Sequence, residues 1–150
     1  MAKQFSIHFE ELSGADGETV REWLAHETVN PWVCIADWDA FFAWARQNPD
    51  YYMFRATADG EMLGLIALEI TGNRGFVCLV IDPAMQGRGH GKRVLGQFVR
   101  EARRLTRAGL AVIEAGIFPG NEASKRCFTA CGFQLSGIGE DGEERYEYCL

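Results

Sequence analysis

The chain has 150 residues, 47% hydrophobic and 24% charged, with a net charge of −6. That length suits one domain, expected to fill residues 1–150, and no apolar run reaches the roughly 20 residues that a membrane-spanning helix needs. The acidic balance argues against nucleic acid as a general partner, and the opening residues lack an apolar signal core, so the expected compartment is the cytoplasm, with no membrane partner.

In chain order, Phe5, Ile7 and Phe9 alternate with Ser6, His8 and Glu10, the period of a half-buried strand. Val20, Trp23 and Leu24 have helical spacing over about Glu18 to Glu27, with Asp16 or Gly17 near the cap, and Asn30-Pro31-Trp32 breaks the pattern. Asp37 is the expected N-cap of a second helix holding Phe41, Phe42, Trp44 and Ala45. Tyr51 to Ala58 reads as a strand, Asp59-Gly60 as a two-residue hairpin turn, and Met62 to Ile70 and Phe76 to Ile81 as the next two strands. A helix is predicted from about Gly89 to Thr106, ended by Gly109. Leu110 to Phe118 is a strand, and Asn121 starts a helix to about Ala130. Cys131-Gly132-Phe133 leads into a strand to about Ser136, Gly137 to Gly142 loops, and Glu143 to Cys149 closes the chain as a strand. The order β–α–α–β–β–β–α–β–α–β–β implies a mixed sheet with helices on both faces.

The five cysteines are an odd number without a Cys-x-x-Cys, and are expected to be free thiols. The histidines His8, His26 and His90 have no metal-ligand spacing, so no metal is expected. Charge is segregated. Residues 1–73 carry −8, residues 74–107 carry +6 and residues 108–150 carry −4. A polyanionic ligand met by the basic block and a cationic one met by the acidic parts would suit this pattern.

The basic block contains Gln86-Gly87-Arg88-Gly89-His90-Gly91-Lys92, between a strand and a helix. Glycines there let the backbone approach a ligand, and the helix start offers free N–H groups and a positive dipole end, so the run reads as an anion site. It is not a P-loop, because Gln86 stands at the first Gly and Arg93 at the hydroxyl residue. It is not a dinucleotide fingerprint, because the spacing is Gly87-x-Gly89-x-Gly91 and the run follows a hairpin. Gln86, Gly89 and Gly91 do meet Gln/Arg-x-x-Gly-x-Gly/Ala, and the stretch resembles the acyl-CoA pyrophosphate loop of the GNAT superfamily of N-acetyltransferases. A second match is Asn121-x-x-Ser124 before a helix ending in Gly132-Phe133. The predicted element order resembles the GNAT fold from end to end.

The resemblance implies an α/β (α+β) fold with a mixed, mostly antiparallel sheet of about seven strands. It implies acetyl-CoA as co-substrate and a primary amine as acceptor: a small cationic amine such as an aminoglycoside or polyamine, or a protein N-terminus. It allows a homodimer. It assigns cofactor binding to Leu79, Val80 and Ile81, to Gln86, Gly87, Arg88, Gly89, His90, Gly91 and Lys92, and to Asn121 and Phe128. A strand N–H near Leu79 or Val80 is the expected donor to the thioester carbonyl. The family's usual Tyr, an acid for the CoA thiolate, is Phe128 here, and the alternative function is an acyl-CoA-binding sensor or interaction module with little turnover. Relatives with a Glu on the strand after the loop have it where Gly116 stands; Glu114 shares that strand face, and Glu69 is the second candidate base. The first two helices and the final hairpin supply the acceptor side, with Glu22, Glu27, Asp37, Asp39, Glu140, Asp141, Glu143 and Glu144, and the aromatics Trp23, Trp32, Trp38 and Tyr146. The Trp23-to-Trp32 pattern distantly resembles aminoglycoside 6′-N-acetyltransferases and ribosomal-protein N-terminal acetyltransferases.

Overall fold

A computed structural model describes residues 6–33 and 35–150. Phe5 of the first predicted strand and the free thiol expected at Cys34 lie outside the described residues. The elements are β1 (His8–Glu11), α1 (Gly17–Ala25), α2 (Trp38–Gln47), β2 (Tyr51–Ala58), β3 (Glu61–Thr71), β4 (Arg74–Ile81), α3 (His90–Thr106), β5 (Val112–Ile117), α4 (Glu122–Ala130), β6 (Gln134–Ile138) and β7 (Glu144–Cys149). This is the order read from the sequence.

Local chemistry accounts for most boundaries. The Asp37 carboxylate accepts the Ala40 N–H at 3.1 Å and starts α2. Asp59 (φ +50°) and Gly60 (φ +77°) are both left-handed, as the tight β2–β3 hairpin demands. Asn121 Oδ1 accepts the Ser124 N–H at 3.3 Å and starts α4. Two boundaries differ from expectation. Arg107, not Gly109, takes the left-handed cap of α3, with φ +54° and its N–H donating to Arg103 O at 2.9 Å. The Arg103 Nε–H donates to Leu110 O at 2.9 Å and ties that turn down. β6 runs on to Ile138, because a register shift between Leu135 and Gly137 lets Gly137 and Ile138 still pair with Arg145 and Glu144.

The seven strands form one mixed sheet in the order β1-β2-β3-β4-β5-β7-β6. Among the described strands only β4 and β5 pair in parallel. On one face, Val20 and Trp23 of α1 and Trp38 and Ala45 of α2 pack with Met53, Leu65, Ala67 and Val80. On the other, Val94, Leu95 and Phe98 of α3 and Phe128 of α4 pack with Ile66, Leu68, Ile113 and Tyr146. Each large apolar side chain so buried contributes about 1.5–3 kcal/mol. Trp23, Trp38 and Tyr146, read as aromatics of an acceptor site, are therefore core residues. Among the described residues, no helix is long and apolar enough to cross a membrane.

Candidate active site

The parallel pair is short. β4 and β5 meet at Arg74↔Val112, Gly75↔Ile113 and Phe76↔Glu114, and then diverge. The register explains what this exposes. The Asp82 N–H donates to Leu63 O at 2.8 Å, so by two-residue alternation Val80 turns its peptide groups toward Leu65 of β3. Leu79 and Ile81 turn theirs toward the gap. Of the two expected carbonyl donors, Leu79 is thus the one aimed at the opening.

The gap widens into a cleft of about 750 Å³. One wall is Val77–Ile81 of β4, the other 115–118 at the end of β5. The glycine run lies across one end. Gly87 and Gly89 both have φ +78°, a conformation that side chains rarely adopt. Gly89 is the N-cap of α3, and among the described residues no side chain caps that helix. The helix start turns the positive end of its dipole toward the run, which suits an anion. Gln86 holds the run against β4, its Nε2 donating to Ile81 O at 3.3 Å. A Cβ on Gly91 would lie 3.3 Å from Cys127 Sγ, so Gly91 lets α3 start close to α4.

Of the residues expected to hold the cofactor, Leu79, Val80, Ile81, Gln86, Gly87, Gly89, His90, Gly91, Lys92, Asn121 and Phe128 all line this cleft. Arg88 does not line it; it is exposed, and its carbonyl accepts from Arg93 Nη1 at 3.1 Å. Burial, and then the nearby Arg93 and Arg88, push the His90 pKa below its ordinary value. The ring is thus kept neutral at physiological pH, and Lys92 and Arg126 are the cations that line the cleft. Phe128 is buried, edge-on to Phe133 with ring centroids 4.9 Å apart. Cys78, on the cleft floor, touches solvent yet sits deep among the strands, and burial pushes its thiol up to about 11.

The two acids read as bases lie elsewhere. Glu114 is buried, and its carboxylate is bound by Arg74, which also reaches Glu147 at 3.2 Å. It faces a second hollow with Arg145 and Glu147 and does not line the cleft. Glu69 is exposed, beside Tyr51 and Phe76 in register, and is not among the lining residues either. Trp32 and Glu143, both expected on the acceptor side, make contacts that have no local signal. Thr28, Val29, Trp32 and Val33, between α1 and α2, line the cleft, and the Trp32 ring lies 3.1 Å from where a Gly120 Cβ would stand. The Asn-Pro break was legible, but its placement over β5 was not. The Glu143 carboxylate, from the β6–β7 turn, lies against Gly116 of the cleft wall, although Glu143 is not itself among the lining residues. Among the described residues, no cluster of three or more His, Cys, Asp or Glu could hold a metal.

The residues present fit an acyl-CoA. Uncapped helix amides and a left-handed glycine run suit a pyrophosphate, and a strand edge without a partner suits the amides of a pantetheine arm. A mixed sheet opened at its parallel pair, with that anion site at the mouth, is an acetyltransferase fold of the GNAT type. The profile of the acetyltransferase (GNAT) family matches residues 17–133, and the chain belongs to this family. It is 33% identical over 95 residues to an L-2,4-diaminobutyric acid acetyltransferase of Streptomyces avermitilis, covering 61% of this chain and 52% of the relative. The chain thus spans about half the length of that relative. The aminoglycoside acetyltransferase AAC(6')-Ib, solved with coenzyme A and kanamycin, superposes with a TM-score of 0.82 at 16% identity, over 96% of this chain and 95% of that one. A chimeric spermidine N-acetyltransferase from Vibrio cholerae superposes with a TM-score of 0.80 at 14% identity, over 95% of both chains. At these identities the two structures speak for the fold.

Proposed function

We propose that the protein transfers the acetyl group of acetyl-CoA to a primary amine. The observation that carries this reading is the opening between β4 and β5, with unpartnered peptide groups on its edge and an uncapped helix start at its end. Acetyl-CoA, when bound, supplies an acetyl group activated as a thioester. The amides of the Gly87–Gly91 run hold the pyrophosphate, with Lys92 adding charge. The peptide groups of Leu79 and Ile81 take the place of a missing strand toward the pantetheine arm. The Asn121 side chain caps α4 through its oxygen, and its amide group can donate to the same arm. The Leu79 N–H polarises the thioester carbonyl as charge builds on oxygen. Phe128 has no proton to give, so water protonates the departing sulfur.

The Trp32 ring over the cleft favours a cationic amine. Spermidine and 2,4-diaminobutyric acid, the substrates in two relatives' names, each carry more than one amine, which points the acceptor reading toward small polyamines. A second reading, an acyl-CoA-binding module with little turnover, draws on one observation: the buried, apolar Phe128 where relatives have a Tyr. Free CoA released from acetyl-CoA across polyamines, aminoglycosides, diamino acids and N-terminal peptides separates the two. Amine-dependent release, abolished in Gly89→Glu together with CoA binding, is expected. Tight CoA binding with no release from any of these amines would favour the binding module.

A further inference from the structure

Gly116 carries no side chain, yet its place is not empty. A Cβ built there would lie 2.5 Å from the Glu143 carboxyl carbon and 2.7 Å from Oε1. A carboxylate thus occupies the space that a side chain on residue 116 would fill, delivered from the turn that leads into β7 at the same end of the β5–β7 pair. The hairpin fixes it there. The Gly139 N–H donates to Glu143 O at 2.8 Å, and the Asp141 carboxylate accepts the Glu143 N–H at 3.3 Å. The Glu143 side chain is 23% exposed, so water and a small solute can reach it. Its cationic neighbour, Arg145, is 3.8 Å away, a loose contact, whereas Glu114 is held in close contact by Arg74. Besides Arg145, Asp141 on its own turn accepts its N–H, Glu114 with its Arg74 stands two residues from Gly116 along β5, and Cys78 lines the cleft with Gly116 from β4. The thiol is neutral at physiological pH, being pushed up to about 11.

We infer that Glu143 is the catalytic proton acceptor, reaching over Gly116 to the amine as it meets the thioester. This role rests on the transferase reading above. The acceptor's ammonium gives one proton to the Glu143 carboxylate. The freed lone pair forms the new N–C bond, the C–S bond breaks, and its electron pair leaves on sulfur. The second amine proton reaches that sulfur through water, and Glu143 returns the first to solvent. Products are the acetylated amine, free CoA and one proton. Gly116 is then a positioning residue: its missing side chain makes room for the carboxylate.

The test uses the full chain with L-2,4-diaminobutyrate, spermidine and kanamycin as acceptors. kcat/KM is followed across pH, CoA affinity by calorimetry and folding by thermal melting. In Glu143→Gln, kcat/KM should fall roughly 10²-fold near neutral pH, with the deficit shrinking as pH rises and the amine arrives already neutral. CoA affinity and melting should stay near wild type. Gly116→Ala, which displaces the carboxylate without deleting it, should show the same pH-dependent loss. A Glu143→Gln enzyme with the wild-type rate and pH profile overturns the assignment. So does a loss that is uniform in pH and accompanied by a lower melting temperature, which marks a structural role for the turn. If the wild type releases no CoA with any of the three amines, the transferase reading falls, and this role with it.

Discussion

Arg74 stands between two carboxylates, bound by Glu114 and 3.2 Å from Glu147. The Glu114 side chain is only 10% exposed, so in Arg74→Ala it would be left in a poorly hydrated place without its cation. Breaking a fully buried pair costs about 3–5 kcal/mol. Because Arg74 is itself 41% exposed, water replaces part of what is lost, and about 2 kcal/mol is the expected cost. Thermal melting of Arg74→Ala, and of the double variant with Glu114→Gln, checks this. The second substitution should recover more than half of the loss, because it removes the stranded charge; no recovery would mean that Arg74 acts through packing. At this scale the sequence was legible where the signal is local. The Asn121 cap and the Gly87–Gly91 run depend on neighbours a few residues away. The Glu143 carboxylate against Gly116 and the Trp32 ring against Gly120 join distant segments, and no spacing rule carries such contacts.

At the scale of elements, β4 is held at a fixed height by its neighbour. A Cβ on Gly64 of β3 would lie 2.5 Å from Val80 O and 3.0 Å from Ile81 Cδ1. Gly64→Ala must therefore push β4 away from β3, at a cost of about 1–3 kcal/mol for overpacking. The same shift moves the Leu79 and Ile81 peptide groups that edge the cleft. CoA affinity should fall more than tenfold, measured by calorimetry well below the melting temperature, whereas Gly60→Ala, in open space at the hairpin turn, should leave it unchanged. Unaltered affinity in Gly64→Ala would show that the strand edge contributes little. Element order was readable from periodicity and turn residues throughout. The end of α3 was not, because Arg107 takes a conformation usually left to glycine, and what ties it down is a bond from Arg103 to Leu110 beyond the helix.

For the whole molecule, Tyr51 and Cys78 set a limit at high pH. Burial first, and then Cys78 and Glu69, push Tyr51 up to about 12, and burial pushes Cys78 up to about 11. In the unfolded chain these groups ionise near their ordinary values of 10.0 and 9.0. Between those values and the folded ones, the folded state holds more protons than the unfolded state, so stability falls as pH rises. The stability is fully present below pH 9.0 and is lost progressively through pH 11 to 12. Melting temperature against pH should decline over that window, and Cys78→Ala should flatten its lower part; an unchanged slope would remove Cys78 from the account. The basic block read from the sequence is also partly spent inside the fold. Arg74 serves Glu114, Arg103 serves Leu110 O and Arg104 serves Glu101, so its net charge overstates what a ligand meets. The interrupted ladder between β4 and β5 has a mechanical side as well. The sheet is two panels, four strands and three, joined along a spine of three residue pairs that the Arg74–Glu114 contact latches. With only three pairs across it, that spine is where bending should concentrate, and a pantetheine arm laid in the gap would add rungs beyond it, turning two hinged leaves into one stiff plate.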